Sequence, residues 1–314
     1  MASHQISRRS VLAGGVVAGC VNLLQADQRS QSRDLPWIDA HSHIWSTDLK
    51  RYPLRNGQTV DVLAPRSFTD DELLETAAKS GVGRVVLIQH RPYHGFDNSY
   101  LIDAWKKRPD VFRIVGQIED RSPDVVSLMK QMRQTGVTGF RVGPNPDRRN
   151  WLEGDGIRQM WKTAPETGQN ICCLINPEDL PDVAQWCREY RDTPVVIDHF
   201  ARVGIDGTVR DRDLKNLCAL AAYPKVRVKI SAFYALGKKQ PPHDELIPMI
   251  RRLFEVFGAE RLMWASDAPY QLNAPNTYAE SIAVVRERLD FVTATERKML
   301  LAGTAESTFF SEIR

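Results

Sequence analysis

Two closely spaced histidines, His41 and His43, are the residues of this chain best suited to do chemistry. They fall in a predicted strand, and side chains alternate between the faces of a strand, so we expect Asp39, His41 and His43 to point the same way. Two imidazoles on one face can hold a single metal ion, while the acid below them orients a ring. Paired histidines also occur as ordinary core or surface residues, so this interpretation depends on partners from other strands.

The elements that would position such partners alternate regularly along the chain. Helical patterns separate eight strand-like segments, and a capping box from Thr69 to Glu72 introduces the first helix. Eight such repeats over about 275 residues predict a (β/α)8 TIM barrel, α/β in class and a single domain over residues 37–314. No Gly-x-Gly-x-x-Gly follows an early strand, which argues against a dinucleotide-binding sheet. The predicted strands are residues 37–45, 83–90, 112–119, 139–145, 170–175, 194–200, 226–233 and 262–269.

In a barrel of this kind the active site lies at the carboxyl ends of the strands. In the seventh strand Lys229 alternates with apolar residues, so it is expected to point into the barrel. In the fourth strand Arg141 shares its face with Gly139 and Gly143, which would leave room for a long side chain that binds a carboxylate or an oxyanion. The other polar residues at strand ends, besides His41 and His43, are Gln89, His90, Asp198, His199 and Asp267.

Each of these residues also has a purely structural interpretation. His199 could be a hydrogen-bonded core histidine, and Asp267 could cap a turn. The basic side chains inside the barrel could form ion pairs with Asp39 or Asp198. We favour a catalytic centre because so many polar residues fall at the strand ends of one predicted barrel.

Four segments resemble the amidohydrolase-related (amidohydrolase 2) family, in particular its lactonase and 2-pyrone-4,6-dicarboxylate hydrolase branch of metal-dependent barrel enzymes. The resemblance covers residues 37–310, and its first and last segments are the most specific. It implies a (β/α)8 barrel that hydrolyses a lactone, sugar-derived or from an aromatic acid, by attack of activated water on the carbonyl carbon. The four segments are residues 37–45, 95–101, 195–199 and 261–269.

Carried over by residue, the resemblance implies a metal site and a base. His41 and His43 would be ligands from the first strand, His199 a fourth ligand or an adjacent polarising group, and Asp267 both a ligand and the general base. Candidates for substrate binding are Arg141, Lys229, Gln89 and His90.

Departures from the family pattern refine the expected chemistry. Arg141 stands where two-metal members carry a bridging carboxylated lysine, so one divalent ion is expected, with zinc as the expected metal. The fifth strand, residues 170–175, lacks the histidine ligand of decarboxylase-type relatives, which disfavours a nonoxidative decarboxylase. Some members of the branch hydrolyse lactones without a metal, so a metal-free lactonase that uses the same residues stays open. Outside enzymology, the chain could be an exported binding protein on an inactive barrel.

The first 26 residues predict export. Residues 7–12, which include Arg8 and Arg9, resemble a twin-arginine signal, and residues 17–20 resemble a lipobox that ends at Cys20. The expected location is the periplasm or a membrane to which lipidated Cys20 anchors the chain, with residues 27–36 as a linker.

The net charge of +3 falls to +1 without the two arginines of the signal, which excludes a strongly basic nucleic-acid-binding protein. The expected partner is a small-molecule substrate, and no pattern predicts an oligomeric state.

Overall fold

Eight parallel strands form one sheet, in which each strand pairs with the next along the chain. A bridge between Ser42 and Ala268 brings the first strand against the last. With helices between the strands, this architecture confirms the predicted (β/α)8 TIM barrel. The strands are β1 (Trp37–Ser42), β2 (Val82–Ile88), β3 (Phe112–Gly116), β4 (Val137–Val142), β5 (Asn170–Cys173), β6 (Val195–Ile197), β7 (Val226–Ile230) and β8 (Leu262–Trp264).

The structure, a computed structural model, describes Met1, residues 37–144 and residues 151–311. The predicted export signal, the linker and Cys20 lie outside the described residues. Within them, no helix is long and apolar enough to cross a membrane. The α-helices are α1 (Asp70–Ala78), α2 (Arg91–His94), α3 (Ser99–Lys107), α4 (Val125–Arg133), α5 (Asp155–Thr167), α6 (Leu180–Glu189), α7 (Asp211–Ala219), α8 (Ile247–Phe257), α9 (Tyr278–Ala283) and α10 (Ala294–Lys298).

The strand side chains sort into an outer and an inner layer. The apolar face of β7, predicted from its alternation, joins the large core between strands and helices, so Lys229 of the same strand points inward. Near the start of β2 and β3, Phe310 packs under the guanidinium groups of Arg84 and Arg113, and it closes the amino-terminal end of the barrel. The inner apolar cluster contains Ile38, Ala40, Val86, Ile88, Val115, Cys172, Val196, Met263, Ala265, Ala305, Phe309 and Phe310.

β6 and β8 are shorter than predicted because the chain leaves the sheet in left-handed turns. The backbone from His199 to Arg202 has φ between 52 and 56°, and Asp267 has φ 63°. Glycine or asparagine usually marks such a turn, and neither occurs at these positions. Non-glycine residues in this region are held by their surroundings and concentrate at functional sites, so the turns place two candidate site residues under structural constraint.

The predicted common face of Asp39, His41 and His43 is wrong because β1 contains a bulge. The three-residue step from Asp39 to Ser42 pairs with a two-residue step on β2. One extra residue reverses the alternation of side chains. Ala40 belongs to the inner cluster, so its neighbour Asp39 points to the opposite face of the strand. Asp39 therefore points away from the two histidines and orients neither ring.

Asp39 instead joins β1 to the segment after β8. Its Oδ1 accepts a hydrogen bond from the backbone N–H of Ser266 at 2.9 Å. Its Oδ2 accepts from the hydroxyls of Ser42 and Tyr278, each at 2.8 Å. The carboxylate is fully buried, so these donors replace the water that would otherwise solvate it.

We call the contact between residues 39–43 and residues 266–268 the closing seam. Besides the Asp39 carboxylate, two backbone hydrogen bonds of 2.8 Å cross it. They run from the Asp267 N–H to the His41 carbonyl and from the His43 N–H to the Ala268 carbonyl. The backbone segments that carry the first-strand and last-strand site residues are therefore bonded directly to each other.

The glycines beside Arg141 do not leave open room, contrary to the expectation from sequence. A Cβ added to Gly143 would lie 2.2 Å from the carbonyl oxygen of Leu174, and one added to Gly139 would lie 3.0 Å from the carbonyl oxygen of Asn170. The backbone at the start of β5 and just after its end occupies this space. The two glycines therefore allow β4 and β5 to approach closely.

Gly143→Ala is expected to lower the free energy of unfolding by about 1–3 kcal/mol, because the new methyl group must push β4 and β5 apart. The same displacement should move Arg141, two residues earlier, and raise KM for a substrate that this residue binds. Chemical denaturation and steady-state kinetics measure the two effects. A variant as stable as the wild-type protein would contradict the close approach.

Candidate active site

Three side chains at the carboxyl ends of β1 and β8 converge on one point. Nε2 of His41 and Nε2 of His43 lie 3.5 and 3.3 Å from Oδ1 of Asp267. One possible ligand atom from each of these buried residues lies within 4.8 Å of the others. Oδ1 of Asp267 has no hydrogen-bond partner among the described residues. The fold thus brings the predicted ligands of the first and last strands together.

His41 is held from behind by two charged side chains. Its Nδ1 lies 3.5 Å from Oδ1 of Asp198 and 3.2 Å from Nζ of Lys229. Burial and the Lys229 ammonium lower the pKa of His41 well below its ordinary value, so the ring is neutral. Arg141 donates to Nε2 of this ring at 2.7 Å, so the proton of the neutral ring is on Nδ1 and faces Asp198, while the Nε2 lone pair is on the side of Asp267.

His43 is fixed through the backbone of the neighbouring strand. Its Nδ1 donates to the carbonyl oxygen of Ile88 at 2.9 Å, which leaves the Nε2 lone pair directed at Asp267. Its ring packs edge-on against the rings of His90 and Tyr270, with centroids 5.0 and 5.9 Å away. Burial lowers the pKa of His90 to about 2, and its neutral ring shares a hydrogen bond with the Tyr270 hydroxyl.

Asp267 is fixed through its backbone and through one carboxylate oxygen. Its N–H donates to the carbonyl of His41 at 2.8 Å, and its Oδ2 accepts from the hydroxyl of Tyr234 at 2.7 Å. Burial alone would raise the pKa of Asp267, but the nearby imidazoles of His199, His43 and His41 hold it below its ordinary value. Burial and the adjacent carboxylate raise the pKa of Tyr234, so the phenol keeps its proton and donates.

His199 lies beside Asp267 and outside the three-residue ligand group. Its Nε2 is 3.7 Å from Oδ2 of Asp267, and its Nδ1 shares a hydrogen bond of 2.8 Å with the hydroxyl of Ser231. Its ring centroid is 4.4 Å from that of His41. Burial lowers the pKa of His199 to about 4, so the ring is neutral near pH 7. This position favours the adjacent polarising group over the fourth ligand.

Arg141 reaches the same centre from β4. Its Nη2 donates to Nε2 of His41 at 2.7 Å, and both its Nε and Nη2 lie 3.4 Å from Oδ2 of Asp198. The side chain is 11% exposed, whereas that of Lys229 is 0% exposed. A guanidinium group that solvent can reach, next to two histidines, is placed to bind a carboxylate or a developing oxyanion.

The donor set fits a single divalent ion. Two imidazole nitrogens and one carboxylate oxygen, with room for water or substrate, are the ligand types of catalytic zinc sites. The unpartnered Oδ1 of Asp267, facing two Nε2 atoms, is the observation that supports the fit. Nε2 of His41 also accepts from Arg141, so an ion and this guanidinium are alternative partners for one lone pair.

The four predicted substrate-binding residues occupy different positions. Arg141 and His90 lie beside the three-residue group. Lys229 is fully buried beneath the histidines, and its Nζ lies 3.0 Å from Oδ1 of Asp198. Gln89 is 1% exposed, and its Nε2 donates to the backbone carbonyl of a neighbouring loop. The contacts of Lys229 thus match the internal ion pair considered from sequence, and those of Gln89 are structural.

Two residues of the site carry roles that the sequence did not predict. Asp198 is predicted from the sequence as a polar residue at a strand end and as a possible ion-pair partner, but not as the group that orients His41. Tyr234 is not among the site residues predicted from the sequence. The direction of the Tyr234 side chain depends on the left-handed backbone conformation of Ala232, φ 57°. No sequence pattern predicts this conformation.

The barrel and the three-residue centre at its carboxyl end define a TIM-barrel hydrolase. The chain belongs to the amidohydrolase family, whose sequence profile matches residues 38–310. This finding confirms the resemblance identified from the sequence motifs, and it shows that the protein is an enzyme.

Similar proteins narrow the branch of the family. The chain is 28% identical over 243 residues to the L-fucono-1,5-lactonase of Burkholderia ambifaria, covering 74% of this chain and 80% of that protein. It is 26% identical over 238 residues to the 4-sulfomuconolactone hydrolase of Rhizobium radiobacter, covering 74% and 75%. A Pseudomonas putida structure, provisionally described as a 2-pyrone-4,6-dicarboxylic acid hydrolase, superposes with a TM-score of 0.73 at 26% identity, covering 89% of this chain and 99% of the other.

Proposed function

We propose that the protein hydrolyses a lactone with water activated at Asp267, aided by one divalent ion that His41, His43 and Asp267 hold. The observation that carries this proposal is Oδ1 of Asp267, which has no hydrogen-bond partner among the described residues and faces two imidazole Nε2 atoms. Two similar proteins, at 28 and 26% identity, are named as lactone hydrolases, which supports a cyclic ester as the substrate.

In this mechanism Asp267 moves one proton twice. Its Oδ1 takes a proton from water as the water oxygen bonds to the lactone carbonyl carbon. It returns that proton to the ring oxygen when the bond between this oxygen and the carbonyl carbon breaks. A divalent ion bound here, expected to be zinc, would supply positive charge that stabilises the oxyanion and lowers the pKa of water.

The surrounding residues bind the substrate and orient the reacting groups. Arg141 donates hydrogen bonds to the developing oxyanion or to a carboxylate of the substrate. His199, next to Asp267, is placed to polarise the carbonyl from the other side. Asp198 keeps His41 turned with Nε2 toward the centre. The sugar-derived and aromatic-acid lactones predicted from sequence are both compatible with these groups.

A lactone panel combined with metal analysis tests the proposal. The protein as purified is expected to contain about one zinc ion per chain and to hydrolyse a sugar δ-lactone or a carboxylated unsaturated lactone. Dialysis against a chelator should abolish turnover, and zinc should restore it. No turnover on either lactone class would contradict the proposed function.

A metal-free lactonase with the same residues is the second candidate, and one contact favours it. Arg141 donates to Nε2 of His41 at 2.7 Å, so the guanidinium can supply positive charge at the position of the ion. Activity that survives the chelator in metal-depleted protein would establish this alternative. The decarboxylase alternative has no such support, because residues 170–175, which include β5, contain no histidine.

A further inference from the structure

Tyr234 is the only hydrogen-bond donor seen at Oδ2 of Asp267 in the described part of the chain. Its hydroxyl donates at 2.7 Å, while Nε2 of His199 lies at 3.7 Å. The other oxygen, Oδ1, has no hydrogen bond and faces Nε2 of both first-strand histidines. The two oxygens of one carboxylate therefore have different surroundings, and the difference depends on one phenol.

The loop that carries Tyr234 is rigidly attached to the barrel. Phe233, directly before it, is fully buried. The Phe233 ring packs against those of Phe200 and His243, with centroids 6.2 and 5.7 Å away. Tyr234 itself is half-buried, and its ring is stacked on that of Tyr270 at 6.3 Å with an interplanar angle of 21°. The contacts of Phe233 and the stacking of Tyr234 on Tyr270 thus fix the position of the Tyr234 hydroxyl.

We propose that Tyr234 is a positioning residue that holds Oδ2 of Asp267, so that Oδ1 alone is presented to water and to the two histidines. The χ2 torsion of an aspartate is broad, so pinning the backbone of Asp267 does not by itself fix which oxygen faces the centre. A base must lie within hydrogen-bond reach of the proton that it takes. The Tyr234 phenol, in the loop after β7, fixes the χ2 torsion of Asp267 by its hydrogen bond to Oδ2.

This inference rests on the proposed function, and Tyr234→Phe tests it. The variant keeps the ring and its stacking but loses the donor. It is expected to lower kcat for the best lactone by about 10–100-fold, the range for losing an outer partner of a site residue, with KM within about threefold of wild type. Tyr52→Phe is the matched control, because the Tyr52 hydroxyl donates to Asp103 at 3.0 Å away from the centre. This control should keep wild-type kinetics.

A double-mutant cycle separates positioning from a general structural effect. If Tyr234 acts through Asp267, Tyr234→Phe should cause no further loss of residual activity in an Asp267→Asn background. A Tyr234→Phe protein with wild-type kcat, one with raised KM and unchanged kcat, or additive losses in the cycle would each overturn the inference. A wild-type protein inactive on every lactone would instead overturn the proposed function, and the inference with it.

Discussion

Asp267→Asn is expected to lower kcat for lactone hydrolysis by about 10³-fold, within the range for removing a positioned general base. An amide oxygen at the position of Oδ1 cannot take a proton from water, and it is a weaker ligand for a divalent ion than a carboxylate. Steady-state kinetics on the best lactone of the panel measures the loss. Zinc bound per chain, measured on the same sample, reports the loss of the ligand.

Asp103→Asn is the matched control for this substitution. Asp103 accepts a hydrogen bond from the Tyr52 hydroxyl at 3.0 Å, as Asp267 does from Tyr234 at 2.7 Å, but it lies outside the site. The control should keep wild-type kinetics. A folded Asp267→Asn protein that retains more than about a tenth of wild-type kcat would show that the base is another group.

Lys229→Met is expected to lower the free energy of unfolding by about 3–5 kcal/mol, the cost of removing one partner from a buried ion pair. The Lys229 ammonium lies 3.0 Å from Oδ1 of Asp198, and both side chains are 0% exposed. Methionine fills much of the same space but leaves the charge of Asp198 without its nearest partner. Chemical denaturation measures the change, and kinetics on the folded fraction reports the effect on His41.

Lys215→Met gives the comparison on the surface. Lys215 pairs with Asp211 at 2.7 Å, but these side chains are 73 and 78% exposed, so the expected loss is below about 0.5 kcal/mol. Adding Asp198→Asn to Lys229→Met should recover part of the stability, because it removes the unpaired charge. If Lys229 binds substrate directly, KM should rise while stability stays unchanged, which would support the substrate-binding role predicted from sequence.

The fold and the central residues of the site could be predicted because both depend on local patterns. Alternating strands and helices predicted the barrel. The carboxyl ends of the strands meet at one end of a barrel, so the polar residues at those ends were expected to lie together. His41, His43 and Asp267 come together as the family resemblance implied. Their assigned roles stay predictions until the variants are measured.

The errors come from single-residue irregularities of the backbone. One extra residue in β1 turned Asp39 away from the histidines, and no composition signal marks a bulge. The left-handed turn at Ala232, φ 57°, directs Tyr234 to Asp267, again without a glycine. For Lys229, the alternation of side chains along β7 correctly predicted that the side chain points into the barrel. It did not predict that Lys229 lies below the histidines, because this depends on the position of the residue along the barrel axis.

The closing seam also determines when the enzyme can become active during folding. It joins Asp39 to Ser266, residues separated by 227 positions in the chain, and contacts this distant in sequence form slowly. Synthesis releases the histidines long before Asp267, so a nascent chain can hold one half of its centre while the other half does not yet exist. Catalysis therefore requires that β1 and the segment after β8 have come together, so the onset of turnover during refolding is expected to report formation of the closing seam.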